Sequence, residues 1–487
     1  MTPCDVLVLS AFRKPTFFGA LNPRHPVEEP WDCTPLTIAA TLESVGLTSS
    51  YLPLQNLYPS FDIDRDLSSL KRLLCEHSSR IVLFSSCNFV ASRSTATIYG
   101  IRIVSKILKA LNAPIIGITG RLATTSGDVL INTIDEVDFI TLGEIDLEIG
   151  EIVQQLLQDG LDALSHASVV KTTDLVERAG TRKVEAKISD LNRLPTPAFH
   201  LARAPLKWLQ DSGQFNSTRS VPFSIRTTAG CKFACKFCAG VPFWNDYRVK
   251  SSSNISNEIE AFQREIDSKG RISFFEDEIF TLREDHVSAV AEVLEAYKVK
   301  LDGVYTHSSL LTEAVAENLL RMTKSVCLGF DSADDRVLKS LGKGQTLDTL
   351  FRALENARRA RLPVHLEWMI GSPPEDLNSL VLSLSSISQL LFTGAVESIE
   401  TYVFCPHPGT AYGMSTSECY EEIQESGGLP QYRHPNLTKN QVFTAYLMSQ
   451  MIIAEVRLAQ KQYGSNLPFS ESITSRLKQI LEEVGWS

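Results

Sequence analysis

The chain has 487 residues, of which 43% are hydrophobic and 21% charged, with a formal net charge of −10. That length calls for two or three domains with sizeable cores, and an acidic balance without runs of Lys or Arg argues against nucleic acid as the partner. The opening segment MTPCDVLVLSAFRK has no basic leader before its apolar run, and the run is far shorter than the roughly 20 residues that span a bilayer, so a cytoplasmic location is expected.

Residues 1–165 alternate short apolar runs with amphipathic stretches. Candidate strands are 6–11, 50–55, 81–86, 114–119 and 137–143, and helical patterns fall at 65–77, 96–111 and 146–159. Strands rich in Val, Ile and Leu between helices imply a parallel sheet covered on both faces, a doubly wound, flavodoxin-like α/β domain. In that architecture ligands sit beyond the carboxyl ends of the strands. Residues 166–220 are irregular, and Pro195 and Pro197 forbid a continuous helix there, so the stretch reads as a linker.

From 221 to 414 the alternation restarts, with candidate strands at 222–228, 271–277, 303–309, 325–331, 364–371 and 398–404. Six β/α units fit a partial (β/α)6 TIM-like barrel, with its chemistry at the carboxyl ends of the strands. Residues 415–487 have no strand pattern and read as a small, mainly helical region. Its one strong helix, 438–464, carries Phe443, Tyr446, Leu447, Met451, Ile452 and Val456 at helical spacing.

Of the ten cysteines, Cys4, Cys33, Cys75, Cys87, Cys327, Cys405 and Cys419 are scattered singly, as small buried residues usually are. Cys327 and Cys405 also lie near strand ends and could reach an active site. Cys231, Cys235 and Cys238 crowd into the segment TTAGCKFACKFCAG, spaced C-x3-C-x2-C, just after the first strand of the second half. Thiolates this close on a loop can converge on one inorganic centre. Three thiolates on a cubane cluster leave one iron open to a substrate or cofactor. Unconnected loop cysteines are one alternative, and a zinc site completed by a distant residue is another, although zinc sites usually show paired CxxC knuckles.

This spacing and its position resemble the radical S-adenosylmethionine (SAM) superfamily. The resemblance implies a [4Fe–4S] cluster on Cys231, Cys235 and Cys238, with SAM chelating the open iron and cleaved reductively to a 5′-deoxyadenosyl radical. It implies an external one-electron reductant of flavodoxin or ferredoxin type. Phe237 matches the aromatic position against the adenine, and Asp277 and Glu278 in FFEDEIFT match the acidic groups near the SAM ammonium. WMIGSPPED resembles the I-G-x-P-x-E segment, which puts Ile370 and Gly371 beside the adenosine, and FCPHPGTAYG resembles a P-x-P-G-T turn. Asp331 stands where the family's G-x-E-S segment has Glu.

The amino-terminal domain has neither a dinucleotide G-x-G-x-x-G nor a P-loop. It resembles the cobalamin-binding domain that precedes the barrel in many radical SAM enzymes. The matching segments are TPLTIAATLESVGL with Pro35 and Leu36, the strand end at Ser85 and Ser86, ITGRLAT with Thr119, Gly120 and Arg121, LGEID with Gly143 and Glu144, and DLNRLPTP. The resemblance makes these residues the cobalamin contacts. There are two departures: Arg121 follows a single glycine where G-G-x-H is common, and the cobalt-ligating D-x-H-x-x-G is absent, so cobalt is expected without a protein ligand below the corrin.

Together these features imply a cobalamin-dependent radical SAM C-methyltransferase acting on an unactivated carbon of a small molecule or peptide. A ring rearrangement or cyclisation without net methyl transfer, a non-catalytic cobalamin or Fe–S carrier, and a methylthiotransferase remain alternatives.

Overall fold

The computed structural model describes residues 4–12, 30–59, 61–86, 91–172, 186–212, 220–240, 246–407, 409–413, 433–463, 479–480 and 482–483. Cys87, Pro408 and Cys419 lie outside the described residues.

The first unit is a six-stranded sheet of β1 (Cys4–Ser10), β2 (Ser49–Pro53), β3 (Ser79–Ser85), β4 (Ile115–Thr119), β5 (Phe139–Thr141) and β6 (Val169–Lys171), in the order β2-β1-β3-β4-β5-β6. The first five strands are parallel, and β6 adds an antiparallel edge. The five parallel strands have the doubly wound, flavodoxin-like order expected for a sheet covered on both faces. β6 was not foreseen. A three-residue strand is too short to show a period, and it falls in the stretch expected to be a linker. That stretch is built into the first unit: Glu144 N–H donates to Ala186 O at 2.9 Å and Ala198 N–H to Leu36 O at 3.0 Å.

The second unit contains β7 (Val221–Ile225), β8 (Thr228–Ala229), β9 (Arg248–Val249), β10 (Gly270–Phe275), β11 (Val304–Thr306), β12 (Val326–Gly329), β13 (Val364–Ile370) and β14 (Ser398–Val403). Six of these form the parallel strands of a partial barrel, in a β10-β7 pair and a β11-β12-β13-β14 sheet. The two groups are linked by the Asp302 N–H, which donates to Ser273 O at 2.8 Å. Ser273 lies at the register shift between β10 and β7, the kind of bulge that bends a strand near a site. The short β8 and β9 pair antiparallel beside the barrel mouth.

Local chemistry sets the helix ends. Asp376 and Thr346 cap the helices Leu377–Phe392 and Leu347–Ala360 in reciprocal capping boxes. The helix Thr34–Ser44 has Pro35 in its first turn and no side-chain cap of its own. Its cap is Glu276 of the barrel, which accepts from the Cys33 N–H and, at 2.6 Å, from the Thr34 hydroxyl. A carboxylate at a helix amino terminus satisfies orphan donors and meets the positive end of the helix dipole. The two units are further joined by Trp31, whose N–H donates to Pro222 O at 2.9 Å while its carbonyl accepts from Ser224 N–H at 3.0 Å.

The tail helix Lys439–Tyr463 packs on the helix Leu377–Phe392 and on β14. Tyr446 and Val456 are buried, whereas Met451 is 61% exposed and Phe443 38% exposed. The apolar positions expected on one face are therefore divided between core and solvent. Among the described residues no helix is long and apolar enough to cross a membrane.

Candidate functional site

The carboxyl ends of the two parallel sheets meet. Arg121, two residues beyond β4, places its guanidinium 2.8 Å from Glu278, three residues beyond β10. The other oxygen of Glu278 accepts from the Gly230 N–H at 3.0 Å, at the start of the cysteine loop. Burial raises Glu278 above the ordinary carboxylate range, against the pull of Arg121 and Arg226.

The cysteine loop is held at both ends. Gly230 has φ +93°, and a Cβ there would lie 1.9 Å from Asp246 O, so only glycine fits. Downstream, Lys236 N–H donates to Leu341 O at 2.9 Å and Cys238 N–H to Cys235 O at 3.0 Å. Cys231, Cys235 and Cys238 are free, half-buried thiols. Burial pushes Cys231 up to about 11 and Cys235 up to about 12, and the neighbouring sulfurs add to both shifts. A centre that binds them as thiolates must displace those protons. No three metal-ligating side chains among the described residues are gathered for a single ion. The corners of a cubane need a wider spacing, and three soft sulfur donors on one loop fit an iron–sulfur cluster.

Asp277 is turned inward. Its carboxylate accepts from the N–H groups of Thr227 and Thr228 at 2.8 and 2.9 Å and from the Thr227 hydroxyl. These bonds fix the backbone that leads into the cysteine loop. Burial pushes Asp277 up to about 7 despite the three hydrogen bonds.

Ile370 ends β13, buried, and Gly371 follows at φ +82°. The N–H groups of Gly371 and Ser372 both donate to Glu375 Oε2, at 2.7 and 2.8 Å. Glu375 Oε1 and Ser372 Oγ are buried without a hydrogen-bond partner. Orphaned polar atoms beside a glycine-bearing strand end fit a polar ligand at the position expected for SAM. His434 closes over this loop, its Nε2 2.8 Å from Ser372 O.

In the first unit Gly120 has φ +97° and Gly143 φ +85°, and Gly143 N–H donates to Thr124 Oγ1 at 2.9 Å. Ser86 bonds Thr119 O through both its N–H and its hydroxyl, at 2.9 and 2.5 Å. Ser85 Oγ and Thr141 Oγ1, at the ends of β3 and β5, are buried and unpartnered, so this strand edge also fits a polar ligand. Pro35 and Leu36 are buried in the first turn of their helix. Glu144 is committed elsewhere: it accepts from Arg248 Nη2 and Nη1 at 2.8 and 2.5 Å and from Ile188 N–H at 2.9 Å, an ion pair that ties β9 to the first unit.

Four residues that no motif marked complete the site. Glu276 and Arg226 bind the Thr34 turn, with Arg226 Nη2 2.6 Å from Thr34 Oγ1. His307 stacks on Phe233 with ring centroids 3.9 Å apart, and its Nε2 lies 2.8 Å from Lys343 O. Lys343 Nζ lies 2.6 Å from Asp331 and 5.8 Å from the centroid of the Phe237 ring. The acidic run at 276–278 was the sole available signal for Glu276. His307 directly follows β11 and Lys343 follows the helix Asp335–Leu341, and only the fold brings them to the cysteine loop. Cys405 and His407 lie on the loop after β14, Sγ 4.0 Å from Nδ1, and Cys327 lies within β12.

Residues 225–381 match the radical SAM superfamily. TsrM from Kitasatospora setae, a radical SAM methyltransferase solved with cobalamin and a [4Fe–4S] cluster bound, aligns over 100% of this chain and 99% of its own, with TM-score 0.65 and 15% identity. An uncharacterised methyltransferase of Pyrococcus horikoshii is 25% identical over 328 residues, 65% of this chain and 66% of that protein. The ribosomal protein uS12 methylthiotransferase RimO of Clostridium botulinum is 20% identical over 416 residues, 82% of this chain and 83% of its own.

Proposed function

Because this chain is a radical SAM enzyme, we propose that it is a cobalamin-dependent methyltransferase that adds a methyl group to an unactivated carbon of a small molecule or peptide. The observation that carries this reading is the contact of Arg121 with Glu278 at 2.8 Å, which sets the ligand edge of the first sheet against the cysteine loop of the barrel. Two cofactor sites so opposed can serve one substrate between them. The full-length likeness to TsrM in fold and the methyltransferase relative support it.

When bound, the cluster and SAM supply a carbon-centred radical that takes hydrogen from a C–H bond, and the corrin supplies a methyl group. The chain's own residues hold and align. Cys231, Cys235 and Cys238 would carry the cluster, and Phe237, Ile370 and Gly371 would line SAM, with the oxygens of Ser372 and Glu375 as its polar partners. Ser85, Ser86, Thr119, Gly120, Gly143 and the Pro35–Leu36 turn would receive cobalamin. Asp277, Glu144 and Glu278 act by fixing backbone and joining the units, since their carboxylates are already engaged. Electrons come from an external one-electron donor.

A methylthiotransferase is the second reading, favoured by the relative of Clostridium botulinum. Such enzymes carry a second cluster on cysteines of the first domain. Here, in the first domain, Cys33 is fully buried and Cys75 is exposed. The readings separate on the anaerobically reconstituted full chain given SAM and dithionite. Methyl transfer by way of cobalamin predicts S-adenosylhomocysteine formed only when cobalamin is loaded, and 5′-deoxyadenosine formed only when the cluster is present. Homocysteine product that is indifferent to cobalamin would refute the proposal.

A further inference from the structure

We propose that the ion pair Asp331–Lys343 sets the reduction potential of the iron–sulfur centre, with Lys343 raising it and Asp331 restraining it. The proposal rests on the reading that Cys231, Cys235 and Cys238 hold that centre.

The loop that carries Lys343 is built against the cysteine loop. Lys236 N–H donates to Leu341 O at 2.9 Å, a Cβ on Gly342 would touch Ala234 O at 3.2 Å, and one on Gly344 would meet the Phe233 ring at 3.3 Å. The ammonium itself has a made space, since a Cβ on Gly329 would lie 2.5 Å from Lys343 Nζ. It lies 5.8 Å from the centroid of Phe237, the residue next to Cys238, and 2.6 Å from Asp331. Asp331 is held at φ +56°, a conformation unfavourable for most side chains, and this backbone places its carboxylate on the lysine. His307, stacked on Phe233 and bonded to Lys343 O, closes the far side of the loop.

Burial disfavours the charge on Lys343, but the Asp331 carboxylate 2.6 Å away holds it. The ammonium is thus fixed beside Phe237, the neighbour of Cys238, on the loop that would ligate iron. A cluster that takes up an electron gains negative charge. A fixed cation in a poorly screened site favours the reduced form, and an adjacent carboxylate opposes it. The two members of the pair therefore act on the centre with opposite signs.

The test is an EPR-monitored redox titration of the anaerobically reconstituted full chain without SAM, with iron content measured on each sample. Lys343→Gln shifts the midpoint to more negative potential, Asp331→Asn shifts it to more positive potential, and Lys343→Arg leaves it near wild type. Asn tolerates positive φ, so Asp331→Asn keeps the turn and remains informative should Lys343→Gln fold poorly. Shifts in the same direction, or no shift in either variant, overturn the proposal. So does an unchanged potential in Lys343→Gln accompanied by weaker SAM binding, which would assign the lysine to the ligand instead. A wild-type chain that takes up no iron fails the underlying reading, whereas a loaded chain insensitive to both charges fails this proposal alone.

Discussion

Arg121 and Glu278, 157 positions apart in sequence, form a buried ion pair at 2.8 Å in which one carboxylate oxygen takes the guanidinium and the other takes the Gly230 N–H. The pair links the first sheet to the entrance of the cysteine loop. Its two members are not equivalent when left alone. Glutamate can take a proton, while an arginine stays charged. Glu278→Gln should therefore cost about 3 kcal/mol, as expected when one partner of a buried pair is removed. Arg121→Gln should cost less, and the double variant should resemble Arg121→Gln. Denaturant unfolding of the three variants checks this order, and equal losses in both single variants would count against it.

The cysteine loop depends on backbone that only glycine supplies. Gly230→Ala would drive a methyl group into Asp246 O, and forcing the residue off its positive φ costs on the order of 1–3 kcal/mol. Iron bound after anaerobic reconstitution should fall well below wild type even though all three thiols remain. Retention of full iron by Gly230→Ala would show that the loop geometry does not matter.

Stability of the ligand-free chain should fall as pH rises from about 4 to about 8. Burial pushes Asp277 up to about 7 and Glu375 up to about 8, from 3.8 and 4.5 in the unfolded chain. Raised carboxyl values favour folding while the groups are neutral. Their contribution is complete below the unfolded values and is lost progressively from there until pH reaches about 7 and 8. Melting temperature should decline between about pH 4 and 8, and Asp277→Asn should lessen the slope below about pH 7. A profile that rises across this window would contradict the assignment.

The unpartnered hydroxyls in the first sheet give a prediction in which binding and stability separate. Thr141→Val removes a buried Oγ1 that bonds nothing in the protein, so the cobalamin-free chain should be as stable or more stable. If that hydroxyl meets cobalamin, the loss of one hydrogen bond, about 1 kcal/mol, should weaken binding roughly five-fold. Titration with hydroxocobalamin beside a thermal melt reads both effects. Unchanged affinity would remove Thr141 from the site.

Much of the fold was legible because its strands are short, apolar and separated by amphipathic helices: 81–86 and 364–371 became Ser79–Ser85 and Val364–Ile370. β6 was not, since three residues carry no period and its place is set by pairing with β5. The cysteine triplet was visible because its spacing is local. The Arg121–Glu278, Glu276–Thr34 and Asp331–Lys343 pairs were hidden, because a motif can mark single positions such as Arg121, Glu278 and Asp331 but not the partner that the fold brings to each. Glu144 shows the converse: a residue matched to a motif holds Arg248 across the two units, a partner the motif does not give.

The account depends most on three sulfurs holding a cluster with one iron left free. EPR of the anaerobically reconstituted, dithionite-reduced chain, before and after addition of SAM, tests this directly. The account predicts about four irons per chain, a reduced-cluster signal that changes when SAM is added, and loss of both iron and signal in Cys235→Ala. A stoichiometric zinc ion, or a cluster signal that SAM leaves untouched, would contradict it.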